Sequence, residues 1–228
     1  MLQDTARRAL DLLPAGLTYA DVRVVHRRHE MVHVQDDDVD EVLHEESTGL
    51  GLRVLIDGQW GFAATARLDP TGVESAVHRA FDQARAAALF SRRADAIRLA
   101  PTTPVQTTWS TPLREDPFAV SVAEKADLLL RAAAEMRRAQ GLKAGPRLRA
   151  AEASKDFFQD HKVFASTEGA LIEQRITESG AGLLATAADG HDVQRRSYPQ
   201  SVPRAIRGQR GDFATAGYEH VRSLRLVE

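Results

Sequence analysis

The sequence predicts an α+β fold: two antiparallel or mixed β-meanders with helices packed on them. Three observations predict it. Valines alternate with polar residues within 19–65 and the pattern is again strand-like over 147–198, apolar residues recur at helical spacing in three other stretches, and turn signals separate the segments. Strands gathered in runs, instead of alternating with helices, favour α+β over a doubly wound parallel sheet.

Leu2, Ala6, Ala9, Leu10 and Leu13 form the first apolar stripe, and Pro14-Ala15-Gly16 stops that helix. From Tyr19 the period changes to two. Val22 and Val24 mark one strand, Val32 and Val34 a second, and Asp36-Asp37-Asp38 an acidic turn before Val39, Val42 and Leu43. Gly49–Ile56 and Gln59–Ala64 flank Asp57-Gly58, a strong hairpin signal. Asp69 caps the next helix, Pro70 occupies its first position, and Val73, Ala76, Val77, Ala80, Phe81 and Ala84 are its packing stripe. Pro101, Pro104, Pro112 and Pro117 mark a long connection with at most one strand, around Val105–Trp109. Ser121-Val122-Ala123-Glu124 is a capping box opening a third helix that runs to Gly141. The second meander reads as strands Arg147–Phe158, His161–Ala165, Leu171–Ser179, Leu183–Ala188 and Val193–Tyr198. Its turns fall at Asp160, Glu168-Gly169, Gly180–Gly182 and Asp189-Gly190. Residues 1–200 are expected to form one α+β domain, and 201–228 a polar, Arg-rich closing segment.

Composition narrows the chemistry. With 228 residues the chain can bury roughly 70% of its unfolded surface, so its core needs no disulfide or metal. Zero cysteines exclude thiol catalysis, cysteine–zinc sites and iron–sulfur clusters within this sequence. No run approaches the eighteen or so consecutive apolar residues of a spanning helix, and the first residues lack the apolar core of a secretory leader. A cytoplasmic location is therefore expected, with no membrane partner. A net charge of −2 argues against nucleic acid as a partner.

His29-Glu30-Met31-Val32-His33 matches His-Glu-x-x-His, by which zinc peptidases present two histidines and a glutamate. That chemistry needs a helix, where residues four apart stand roughly 6 Å apart on one face and both rings reach one ion at about 2.1 Å. On a strand the separation is roughly 13 Å. Val22, Val24, Val25, Val32, Val34 and Val39 make this segment a strand, so the motif is expected to be coincidental. His44-Glu45-Glu46 has no histidine within the next several residues. Asp36-Asp37-Asp38, with Asp40, Glu41, Glu45 and Glu46, lacks the glycine and distal glutamate of a calcium loop and reads as a solvated hairpin.

Gly49, Gly51 and Gly61 read as bulges or tight strand crossings, with a secondary possibility that strand edges there hold an extended peptide. Ser166, His161 and Asp160 lack a nucleophile-elbow pattern and are not read as a triad. Arg195, Arg196, Arg204, Arg207 and Arg210, with Tyr198 and Phe213, read as a docking surface or loop in preference to a nucleic-acid site.

Tyr19–Arg23, Glu46–Val54 and Gly58–Ala63 together resemble the N-terminal domain of the TldD/PmbA metallopeptidases, also called modulators of DNA gyrase. Phe164–Gln174 resembles that family's "SSEG" strand and turn, and Gly211–Glu219 the stretch closing its N-terminal region. The likeness covers nearly the whole sequence and looks closer to the TldD type than to PmbA. It implies a cytoplasmic zinc peptidase that acts on small or unfolded peptides within a closed cavity, as a homodimer or a TldD–TldE heterodimer. It also implies a C-terminal half bearing His-Glu-x-x-x-His and a later cysteine, where a zinc-activated water and a glutamate base act. His29–His33 has one residue too few between Glu and the second His, so no catalytic, metal or substrate-binding residue is carried over. The expected partners are that C-terminal half, on the same or a separate chain, a dimer partner, and peptide substrates. A non-catalytic peptide- or partner-binding module is the alternative.

Overall fold

Tight turns and long strands set the architecture. The structure, a computed structural model, describes residues 1–90, 97–140, 147–189 and 192–199. In order these form α1 (Leu2–Asp11), β1 (Tyr19–Gln35), β2 (Asp38–Ile56), β3 (Gln59–Thr65), α2 (Pro70–Phe90), β4 (Gln106–Ser110), α3 (Val122–Gln140), β5 (Arg147–Ser166), β6 (Leu171–Ala188) and β7 (Val193–Tyr198). The expected helix starts hold. Asp69 Oδ1 accepts from the Gly72 N–H at 2.9 Å, and Ser121 and Glu124 exchange the two bonds of a capping box at 3.0 and 3.2 Å.

Both expected meanders are present and share one mostly antiparallel, seven-stranded sheet of order β3-β2-β1-β5-β6-β4, with β7 also on β6. β1 and β5 join them. Thr167 donates to the Ala20 carbonyl at one end, and Asp36 to the Ala151 carbonyl at the other, which fixes those strands as antiparallel. β4 runs parallel to β6. Asp57 and Gly58 both take positive φ, 48° and 77°, as the β2–β3 hairpin turn requires.

Four expected breaks are absent. The segments on either side of residues 25–31, 44–48, 159–160 and 180–182 fuse into single strands of 17 to 20 residues. Asp160 stays within β5 because Arg27 on the neighbouring strand satisfies its carboxylate. Gly180 and Gly182 keep extended backbone, and a side chain at Gly182 would meet only Ser154 Oγ, at 3.7 Å. Polar residues inside these strands mimic turn signals, but cross-strand partners hold them in the ladder.

The chain divides into two compact units through which β1, β2, β5 and β6 run. Of the described residues, unit 1 takes those within 1–28, 46–111 and 159–177, and unit 2 those within 29–45, 112–158 and 178–199. In unit 1, α1 and α2 cover Val22, Val24, Leu50, Leu52, Val54 and Val163. Gly61 permits that packing, since a Cβ there would run into the α2 backbone at Ala80 and Ala84. In unit 2, Ala126, Leu129 and Ala133 of α3 pack on Val32, Val34, Ala151 and Ala153.

Candidate functional site

Alternation along β1 decides the fate of the His-Glu-x-x-His residues. Val32 and Val34 share the buried face with Glu30, so His29 and His33 face the other way. His29 stacks on Phe158, centroids 4.2 Å apart, and its Nε2 lies 3.1 Å from Asp156. His33 Nδ1 lies 2.9 Å from Asp40 Oδ2, and its Nε2 3.7 Å from Glu152. Both rings are engaged by carboxylates, strand rise sets the histidines roughly 13 Å apart, and the glutamate lies behind the sheet. These residues do not fit a zinc ion. Among the described residues, no group of three or more His, Asp or Glu is arranged to hold a metal.

What the motif's glutamate does was hidden in the sequence. Glu30 is 7% exposed and pairs with Lys125 of α3, itself 3% exposed. Lys125 Nζ stands 4.4 Å from the Phe157 ring centroid and 5.9 Å from that of Phe118. His44 Nδ1 comes within 3.8 Å of Glu30. Lys155 shares the Phe157 ring, at 5.7 Å, and burial together with the Lys125 charge holds its pKa below the usual lysine range. Two signals could have exposed this pair: Glu30 falls in the apolar phase of β1, and Lys125 sits four residues before Leu129 on the apolar stripe of α3.

Unit 1 carries a second charged arrangement, on the sheet face opposite α1 and α2. Asp21, 1% exposed, accepts from Arg53 Nε at 3.0 Å and also from its Nη2. Arg53 lies over Trp60 at 5.0 Å, and Tyr19 meets that ring edge-on. Burial and the Asp21 charge push the Tyr19 hydroxyl up to about 12. Arg27 donates twice to Asp160, both at 2.7 Å, and Lys162 Nζ adds a contact at 2.9 Å. The Arg27 bond holds the Asp160 carboxyl at about 2.

The other residues singled out from the sequence separate. Asp160 and His161 are adjacent on a strand and point to opposite faces. His161 bonds Glu173, and Ser166 Oγ accepts from the Ala170 N–H in the β5–β6 turn, so the three do not converge. Asp36 of the acidic run holds the Ala151 N–H at 2.8 Å and pairs with Arg137, a structural role at a turn residue with φ of 59°. Gly49 and Gly51 have only ordinary contacts where a Cβ would stand. Arg195 and Arg196 are exposed on β7. Arg204, Arg207, Arg210 and Gly211–Glu219 lie outside the described residues.

Two successive domain models of one family match the chain: PmbA/TldA metallopeptidase domain 1 over residues 20–88, and the PmbA/TldA metallopeptidase central domain over 115–221. Among solved structures, a Thermotoga maritima protein described as a modulator of DNA gyrase is 17% identical, with a TM-score of 0.60. TldE of Thermococcus kodakarensis is 13% identical with 0.56. A Bacteroides thetaiotaomicron protein, also described as a modulator of DNA gyrase, is 19% identical with 0.58. Each likeness covers 86% of this chain but 42% of the other, so the chain spans well under half the length of these relatives. At such identities they establish the shared fold alone. No curated protein matches the chain. Among the described residues, no helix is long and apolar enough to cross a membrane. With two consecutive domains of one family covering most of its length, the chain belongs to the PmbA/TldD metallopeptidase family.

Proposed function

We propose that this chain is the N-terminal, cavity-forming and assembly domain of a TldD-like zinc metallopeptidase that cleaves small or unfolded peptides in the cytoplasm, its zinc held by residues outside this sequence. Residues 1–200 form that domain, and 201–228 lead towards the catalytic half. The observation that carries the reading is the placement of His29, Glu30 and His33. Their strand geometry and existing partners make them unfit for zinc, while family membership calls for a peptidase centre. The 42% coverage of the solved relatives leaves room for that centre elsewhere.

The test is reconstitution. The chain is mixed or co-expressed with a C-terminal half of the family that carries His-Glu-x-x-x-His, and zinc-dependent cleavage of an unstructured peptide is followed. Activity that appears only in the assembly, and survives His29→Ala and His33→Ala, supports the reading. Cleavage by this chain alone, abolished by His29→Ala, overturns it. An assembly that forms without cleaving favours a non-catalytic partner-binding module.

A further inference from the structure

The helix-free face of unit 1 separates its charges by depth. Asp21 and Asp160 lie at the bottom, with side chains 2% and 9% exposed, while their partners Arg53, Arg27 and Lys162 are 43%, 57% and 37% exposed. Arg23, directly across from Phe164, lays its guanidinium over that ring at 5.5 Å and has no carboxylate partner among the described residues. Odd positions of β1 and β2 and even positions of β3 and β5 build this face, since their alternates are in the core under α1 and α2. Outward it presents four cations interleaved with aromatic rings, the composition that recurs at binding hot spots. Each of these guanidiniums is already oriented by a buried carboxylate or a ring, so little side-chain entropy remains to be lost when a partner arrives.

The edge beside this face is closed. The Phe62 N–H donates to Gln83 Oε1 at 2.8 Å, and the Ala64 carbonyl accepts from Arg79 Nη2 at 2.9 Å, so α2 side chains occupy the outward groups of β3. A partner must therefore lie across the strands, not add to β3 as a further strand. We propose that the helix-free face of unit 1 is a docking surface for an acidic, aromatic-bearing peptide segment. Its carboxylates meet Arg23, Arg27, Arg53 and Lys162, and its apolar side chains rest on Trp60 and Phe164. Charge complementarity selects this occupant, and the proposal stands independently of the peptidase reading.

The experiment uses the full chain and a dye-labelled, Glu-rich peptide of about twelve residues with spaced Phe, more than long enough to cross the four strands of this face at about 4.8 Å spacing. Fluorescence anisotropy at low salt gives the affinity. Binding is expected to weaken with added salt and to fall at least about tenfold in an Arg23→Glu/Lys162→Glu variant. Neither substituted residue is the sole partner of a buried carboxylate, and circular dichroism checks that the fold is retained. Arg131→Glu/Arg138→Glu on the exposed side of α3 makes the same charge change and is expected to leave affinity within twofold of the parent. Four results overturn the proposal: no binding of the acidic peptide, equal binding of a Lys-rich counterpart, equal loss in Arg131→Glu/Arg138→Glu, or equal or tighter binding of an oligothymidine of matched charge. A self-associated chain that excludes the peptide from this face overturns it as well, because a second copy would then be the occupant.

Discussion

Lys125→Met removes the cation that faces Glu30 and leaves a carboxylate with 7% exposure behind α3. Removing one member of a buried ion pair costs about 3–5 kcal/mol, since the remaining charge has lost both water and partner. The loss of cation–π contact with Phe157, at 4.4 Å, adds to that cost, offset in part by the apolar methionine in the same volume. For a chain of this size the expected fall in melting temperature is about 10 °C. Glu30→Leu should cost a similar amount by stranding Lys125. The double variant Glu30→Leu/Lys125→Met, which strands neither charge, is expected within about 1 kcal/mol of the parent, or above it. Urea titration of the four proteins closes the cycle and reads the coupling directly. Single variants costing under 1 kcal/mol, or a double variant costing the sum of the two, would refute the claim that the pair is buried and mutually dependent.

Gly61→Val drives a side chain into the α2 backbone at Ala80 and Ala84, and should cost at least about 1–3 kcal/mol in urea titration, whereas Gly49→Ala should be tolerated. Asp160 has a depressed folded pKa of about 2, so its contribution is full above the ordinary carboxylate value and is lost as pH falls from about 4 to 2. Arg27→Gln should flatten stability measured across that window, by up to about 2 kcal/mol. Tyr19 has a raised folded pKa of about 12, so the stability it contributes is full below the ordinary value near 10 and is lost as pH rises from about 10 to 12. Ultraviolet titration should show a late phenolate absent from Tyr19→Phe. Zinc dialysis of the chain should give the same metal content in the parent, His29→Ala and His33→Ala, and stoichiometric zinc lost in either variant would contradict the strand geometry.

Elements with local chemistry were legible in the sequence. The Asp69 cap, the Ser121–Glu124 box and the Asp57-Gly58 turn each rest on contacts within a few residues, and each stands where expected. Strand continuity was not legible, because the features read as breaks are satisfied at long range. Asp160 looked like a turn residue until Arg27, 133 positions away, supplied its partner. The strand character of His29–His33 followed from alternation alone, whereas the assignment of Glu30 required knowing that α3 lays Lys125 over that face. A carboxylate in the apolar phase of a strand and a cation in the apolar stripe of a helix, read together, would have predicted the pairing.

The same residues explain why strands this long hold one register. Strands of 17 to 20 residues far exceed the usual five or six, and a one-residue slip of β1 would expose Val22, Val24, Val32 and Val34 while burying Arg23 and Arg27. Apolar alternation alone opposes single slips, but a two-residue slip preserves it. Side-chain pairs that form in one register oppose the even slips: Asp21 with Arg53 in unit 1, Arg27 with Asp160 in unit 1, and Asp36 with the Ala151 N–H in unit 2. Shifting β1 by two against β5 would leave Asp160 with Lys162 alone and remove the Asp36 carboxylate from the Ala151 N–H. Each loss removes hydrogen bonds to a charged group, worth on the order of 1–3 kcal/mol, enough to separate the native register from its nearest competitor. The charged residues inside these strands, poor candidates for catalysis, are therefore what makes the sheet single-valued.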